Sequence, residues 1–364
     1  MLTRVLLTTD TVGGVWRYSL ELAGGFASHG VQTVLVTLGP EPDLAQRAEA
    51  QTVPGLHLVV TELPLDWLAE NAAQLEAAAR ALAKMAAQHR CASVHLHTPA
   101  LVGGAAWPAP VVAVAHSCVG TWWRAVHGGA MPEDLAWRAD AVARGIDAAD
   151  AVVAPSRSFA RALSAHYHPA RPVHPVLNGR RARGALAPRQ PHVLTAGRLW
   201  DAGKNVARLD AAAARAGLPV LAAGPVRGPH GERIALRHVR HLGTFDEAAM
   251  AVAYASAAIF VSAARYEPFG LAVLEAAQAG CALVLSPIPT FRELWDGAAL
   301  FVDPEDTDAL AYTLRDLARS PERCAALGGF ARRRAASYTV ESMVAGTLRL
   351  HNTVGASAPE LVAL

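Results

Sequence analysis

The chain has 364 residues, 52% of them apolar and 18% charged, more than one hydrophobic core commonly organises, which points to two domains of ordinary size. Its 33 basic and 31 acidic side chains leave a formal charge of +2, without the excess that would make nucleic acid or an anionic bilayer the main partner. Cys91, Cys118, Cys281 and Cys324 form no CxxC pair and read as reduced, buried thiols of a cytoplasmic protein; no run approaches the ~18 apolar residues of a membrane span, so only peripheral membrane contact stays open.

The opening residues hold too short an apolar run for a signal peptide and are expected to form the first strand. Short β-branched runs then alternate with longer Ala- and Leu-rich periodic segments, the pattern of parallel sheets covered by helices on both faces, so the fold class is α/β. In the first half, strands are predicted at 5–8, 33–37, 57–60, 93–97, 111–115, 151–154 and 173–177. The clearest helix runs from about residue 67 to residue 89, with Leu68, Leu75, Ala79, Leu82 and Met85 at helical spacing. After Asn178-Gly179 the pattern breaks into a polar, proline-containing, Arg-rich stretch that reaches Pro191, as an interdomain connection should. The alternation restarts with strands predicted at 192–196, 220–223, 238–242, 258–261, 282–285 and 300–302, followed by three helices and a loose tail from about residue 356. The domains are therefore drawn as 1–182, a linker 183–191, and 192–339. Two doubly wound, Rossmann-like domains of similar size are expected to face a cleft, with ligands at the carboxyl ends of their strands.

The residues that carry chemistry stand at those ends. Gly13 and Gly14 join the first strand to the first helix, and paired glycines let a backbone approach a phosphate closely. The turn is not G-x-G-x-x-G and no acidic ribose partner closes the next strand, which argues against a nicotinamide cofactor. His95 and His97 share one face of a strand and His116 ends the next; three histidines could hold zinc, but no paired cysteine or carboxylate completes a ligand spacing. Arg198 and Lys204 follow the first strand of the second domain. A planar fork and a compact charge can together neutralise a pyrophosphate without a metal ion, and Lys204 carries weight because the only other lysine is Lys84. Gly224 closes the next strand. Glu267-Pro268-Phe269-Gly270-Leu271 makes a tight turn into a helix that bears Glu275. Such a helix start favours an anion, and carboxylates on either side of it suit the diols of a ribose and a hexose. Asp306-Thr307-Asp308 matches a D-x-D metal motif in form, but precedes an apolar-periodic run and reads as a helix cap with a first-turn acid.

On these residues the chain resembles the retaining GT-B glycosyltransferases of family four (glycosyl transferases group 1), whose hallmark is an E-P-F-G-L-x-x-x-E segment. The likeness extends over nearly the whole chain: the glycine turn, the His116 strand end, Asn178-Gly179, Gly197-Arg198-Leu199, Lys204-Asn205 and Gly243. It implies a donor held mainly by the second domain, with Arg198 and Lys204 on the diphosphate, Glu275 on the ribose, Glu267 on the transferred sugar and His116 near the reacting carbon. Gly13, Gly14, Gly224, Phe269, Gly270 and Leu271 would line the donor, with Gly224 beside the base and Arg227 in reach of it. It also implies that residues 340–364 return to the first domain. Two departures stand out: Ala222-Ala223-Gly224 lacks a second glycine, and Pro287 and Pro289 replace a glycine-rich stretch before Glu293.

The function expected from this resemblance is transfer of a hexose from a nucleoside-diphosphate sugar, with UDP-sugars slightly favoured, to a hydroxyl of a glycan, lipid or small molecule. Configuration would be retained, and neither cofactor nor metal would be needed. A sugar-nucleotide epimerase and a binding protein without turnover remain as alternatives. A phosphorylase would need a pyridoxal lysine, and only Lys84, on an amphipathic helix, is left for that role.

Overall fold

The computed structural model describes residues 2–184 and 187–357. Part of the linker (residues 185 and 186) and most of the expected tail lie outside them. The chain divides into two compact units.

The first unit takes the described residues up to Arg124, Gly129–Gly179 and those from Val340 to residue 357. In chain order it begins with β1 (Arg4–Asp10), α1 (Gly14–Ala27), β2 (Gln32–Leu38), α2 (Leu44–Gln51), β3 (Leu56–Val59), α3 (Ala72–Gln88) and β4 (Ser93–Leu96). A 3₁₀ turn (Pro99–Gly104), β5 (Val111–Val114), α4 (Val119–Val126), α5 (Glu133–Ala148), β6 (Ala151–Ala154), α6 (Arg157–Tyr167) and β7 (Val173–Pro175) follow. The seven strands form one parallel sheet in the order β3-β2-β1-β4-β5-β6-β7. Val5, Leu6, Leu7, Val112 and Ala113 are wholly buried, as strands covered on both faces must be, which is why they read as unbroken apolar runs rather than alternating ones.

The second unit is Arg180–Thr339 together with Ala125–Gly128. It comprises β8 (Gln190–Ala196), α7 (Val206–Ala213), β9 (Val220–Ala223), β10 (Arg240–His241), α8 (Glu247–Ser256), β11 (Ala257–Ser262), α9 (Leu271–Gln278), β12 (Ala282–Leu285), α10 (Pro289–Trp295), β13 (Leu300–Phe301), α11 (Thr307–Ala318) and α12 (Pro321–Ala335). Its parallel sheet runs β10-β9-β8-β11-β12-β13 over a core of Val193, Leu209, Ile259, Val284 and Leu314. The last helix, α13 (Val340–Ser357), packs into the first unit's core through Val340, Met343 and Val344.

All thirteen expected strands form. The long helix starts later than its periodicity suggests, at Ala72, because Asn71 captures the Gln74 N–H at 3.1 Å. Trp67 and Leu68 lie in a turn closed by Leu68 N–H to the Leu65 carbonyl. Asp306 caps α11 by accepting from the Ala309 N–H at 2.8 Å, and Asp308 sits in the first turn, ion-paired to Arg215. Pro289 is accommodated at the first turn of α10, where a missing N–H costs nothing. All four cysteines are free and buried, and burial pushes the Cys91 and Cys281 thiols up to about 11, which keeps them unreactive.

In a doubly wound sheet a crevice opens where neighbouring strands send their connections to opposite sides. That point lies between β1 and β4 in the first sheet and between β8 and β11 in the second.

Candidate functional site

In the second unit the crevice is built by three turns. Gly224, after β9, approaches Gly197, after β8, so closely that a Cβ on Gly224 would collide with the Gly197 carbonyl. Gly197 N–H donates to the Ala223 carbonyl at 3.1 Å and Gly224 N–H to Gly243 at 2.8 Å, extending the sheet past its formal end and aiming Arg198 outward. Arg198 is half exposed; one guanidinium nitrogen donates to Asp201 Oδ2 at 3.1 Å and the fork lies 5.8 Å from the Trp200 ring centroid.

Lys204 ends a 3₁₀ turn (Ala202–Lys204) rather than opening α7. Asp201 caps that turn by accepting from Gly203 N–H at 2.8 Å. Asn205 then takes a left-handed conformation, φ 54°, before α7 begins. The Gly203 carbonyl accepts from Arg265 and Tyr266 N–H at 2.9 and 3.2 Å, tying this turn to the segment after β11. Lys204 Nζ is thereby ion-paired with Glu267 Oε2, both largely buried. An ammonium has three donors, so this contact leaves two undirected.

Gly270 adopts φ 94° at the N-cap of α9 and supplies no side chain to cap it. A Cβ there would press on Phe291 at 3.1 Å and on Glu267 Cγ at 3.3 Å. The first amides of α9 thus start beside Glu267, and the helix dipole adds positive potential where Lys204 already stands. Phe269 is buried, edge-on to Tyr338 with centroids 5.9 Å apart, so its side chain packs the unit and only its backbone faces the turn.

Glu275, two turns along, is gripped: Arg180 Nε donates to its Oε1 at 2.6 Å. The same guanidinium reaches Glu247 on α8 at 3.1 Å. The buried Tyr254 hydroxyl bonds to Glu275, and burial, reinforced by that carboxylate, raises the tyrosine well above its usual range. Arg180 was hidden from sequence reasoning because it begins an Arg-rich stretch that resembles a linker. Arg227 and Arg233 pair in a short antiparallel bridge, a hairpin that no periodicity signalled.

In the first unit Asp10 Oδ1 accepts from Val12 and Gly13 N–H at 2.9 and 3.1 Å, shaping the turn. A Cβ on Gly13 meets nothing within 4 Å, and its φ of −146° suits any residue, so the fold itself does not require glycine there. Tyr18 on α1 stands edge-on to both His97 and His116, at 5.2 and 4.7 Å. His116 Nε2 lies 2.8 Å from His97 Nδ1, and His97 Nε2 is 3.0 Å from Ser19 Oγ. Behind them His95 Nδ1 meets His351 Nε2 at 3.0 Å, and His351 Nδ1 meets Ser93 Oγ at 2.7 Å. These rings hydrogen-bond one another instead of converging on a point, and among the described residues no group of His, Cys, Asp or Glu is arranged to hold a metal ion. Burial holds all four rings neutral, with His116 pulled down to about 4 and His351 to about 3.

Residues 12–182 match the family model "Glycosyltransferase Family 4" and residues 190–320 match "Glycosyl transferases group 1". O-antigen chain mannosyltransferase B of Escherichia coli is 38% identical over 80 residues, a stretch that takes in 22% of this chain and 21% of that protein. Sucrose-phosphate synthase from Thermosynechococcus elongatus superposes with a TM-score of 0.80 at 19% identity, over 98% of this chain and all of that one. WaaG, a glycosyltransferase involved in lipopolysaccharide biosynthesis, superposes with a TM-score of 0.70 at 15% identity, over 96% and 99% of the two chains. At such identities the structural likeness speaks for the fold alone. Among the described residues no helix is long and apolar enough to cross a membrane.

Proposed function

The chain belongs to the family 4, group 1 glycosyltransferases of GT-B fold, and from that premise we propose that it transfers a hexose from a nucleoside-diphosphate sugar to a hydroxyl acceptor, with retention and without a metal ion. The observation that carries this reading is the meeting of Lys204, Glu267 and the uncapped start of α9 at the switch point of the second sheet. A diphosphate leaving group develops negative charge as the glycosidic bond breaks. Preorganised donors aimed at that charge are the most effective catalytic device open to a protein. Lys204 offers two donors beyond its Glu267 contact, Arg198 offers its half-exposed fork, and the Gly270-Leu271 amides add the helix end. With no enzyme nucleophile in the scheme, the departing phosphate takes the acceptor proton as the new bond forms on the same face of the sugar.

In this reading Glu275 binds the ribose, Glu267 a hydroxyl of the transferred sugar, and His116, neutral at physiological pH, approaches the reacting carbon. Gly224 lies beside the base, and Gly13 and Gly14 leave space for donor atoms. The Escherichia coli relative is named a mannosyltransferase, which adds mannose to the candidate sugars. The test is to incubate the purified protein with UDP-, GDP- and ADP-sugars, mannosyl donors included, with and without EDTA. Release of nucleoside diphosphate that survives the chelator is expected, with the donor's anomeric configuration kept in the product by NMR. No release from any donor would leave a binding protein, release abolished by EDTA would overturn metal independence, and an inverted product would overturn retention.

A further inference from the structure

Glu275 does not stand alone on its helix. Arg180 Nε donates to Glu275 Oε1 at 2.6 Å and Arg180 Nη2 to Glu247 Oε1 at 3.1 Å, with only 9% of the arginine side chain exposed. The arginine is also fixed through its backbone: its N–H donates to the Tyr338 carbonyl at 3.3 Å, and its carbonyl accepts from Gln278 Nε2 at 2.7 Å. Arg183 makes a second ion pair with Glu247, and the Tyr254 hydroxyl reaches Glu275 from within the core.

Two consequences follow from the chemistry of a carboxylate. It has two oxygens and about four acceptor sites, so an arginine on Oε1 sets the plane of the group, and with the Tyr254 hydroxyl also counted acceptor sites remain for hydroxyl donors. A glutamate on a helix face otherwise samples several rotamers, and the entropy lost in choosing one on binding is avoided when a buried guanidinium has already chosen it. Glu275 and Glu247 would also place two negative charges near the position proposed for a diphosphate; the shared guanidinium offsets that repulsion.

We propose that Arg180 is a positioning residue for the donor's ribose, holding the Glu275 carboxylate in the orientation that accepts the 2′- and 3′-hydroxyls. This rests on the reading of Glu275 as the ribose ligand, and the experiment separates the two. Binding of UDP, GDP and ADP, each beside its 2′,3′-dideoxy counterpart, is measured by calorimetry for the natural chain, Arg180→Met and Glu275→Gln. For the base that binds, Arg180→Met should weaken the ribonucleotide by about tenfold and leave the dideoxy compound within about twofold, a selective loss that mere structural loosening does not produce. Equal loss of both ligands, unchanged binding, or tighter ribonucleotide binding would overturn the proposal. If Glu275→Gln discriminates between the two ligands and Arg180→Met does not, only the role of Arg180 fails. If Glu275→Gln does not discriminate, or no diphosphate binds, the donor reading fails and takes this one with it. Should Arg180→Met not fold, Arg180→Lys keeps the charge but cannot span both carboxylates; the same selective loss is expected, and a natural ratio would overturn the proposal.

Discussion

At the scale of single residues the two cations proposed for the diphosphate have different surroundings, and their variants should separate accordingly. Arg198 is half exposed and bonded to one aspartate, so Arg198→Ala should change stability by no more than about 0.5 kcal/mol while turnover falls by about 10²-fold or more. Lys204→Ala should cost turnover as heavily, but it also strands the largely buried Glu267 carboxylate, so a stability loss of about 1–3 kcal/mol is expected with it. Denaturant melts beside steady-state assays check both, and near-natural turnover in the two variants would refute the assignment. The linked histidines set a pH dependence. Their rings are neutral in the folded unit, with His116 held at about 4 and His351 at about 3, whereas in the unfolded chain each titrates near 6.5. Below that pH the unfolded state binds more protons, so stability should be flat from pH 8 to 7 and decline as pH falls from about 6.5 toward 4. Urea midpoints at half-unit steps test this; a midpoint unchanged between pH 7 and 5 would show that the buried rings titrate as if exposed.

At the scale of elements, the central strands were legible because doubly covered parallel strands must be unbroken apolar runs, as β5, β6 and β12 are, whereas edge strands such as β10, an exposed Arg240-His241 pair, were placed by the alternation around them. What escaped was set by single contacts rather than by period. The start of α3 was decided by Asn71, the position of Lys204 by the Asp201 cap and the left-handed Asn205, and the grip on Glu275 by an arginine whose neighbours resemble a linker. The candidate residues themselves were legible from turn chemistry and charge, but the partners that orient them were not, since a hydrogen bond between residues 95 positions apart leaves no mark on local sequence. Glycines show the same limit. Gly145 looks like a weak point in α5, yet a Cβ there would collide with the Pro99 carbonyl, so the helix lies directly on the 3₁₀ turn after β4. Gly145→Ala should therefore destabilise by about 1–3 kcal/mol or more through overpacking. Gly355→Ala, in α13 with nothing within 4 Å of the added carbon, should be neutral or stabilising by up to about 1 kcal/mol. Thermal melts of the pair check the contrast, and equal midpoints would mean that α5 can shift away at little cost.

At the scale of the whole molecule the chain leaves the first unit for the body of the second at Gly179/Arg180 and returns at Thr339/Val340. The second crossing is sharp. Tyr338 belongs to the second unit, its hydroxyl donating to the Leu294 carbonyl at 2.7 Å and its ring 5.6 Å from Trp295. Two residues later Val340 is already in the first unit's core with Met343 and Val344. Val344 packs so tightly on Gly25 of α1 that a Cβ on the glycine would collide with it. Met343 Sδ accepts from Gly179 N–H at 3.4 Å, and His351 closes the buried histidine chain against Ser93 and His95. Burying Val340, Met343 and Val344 is worth about 1.5–3 kcal/mol each, a sum of the same order as the ~5–15 kcal/mol that holds a whole domain together. A chain ending at Thr339 should therefore lose the first unit and keep the second, whose core draws on none of the removed residues. Differential scanning calorimetry of that truncation should show one cooperative transition lost, and limited proteolysis should leave a protected fragment spanning 180–339. A truncated chain that retained a protected first unit would mean that the contacts of α13 add little to a core that is sufficient without them.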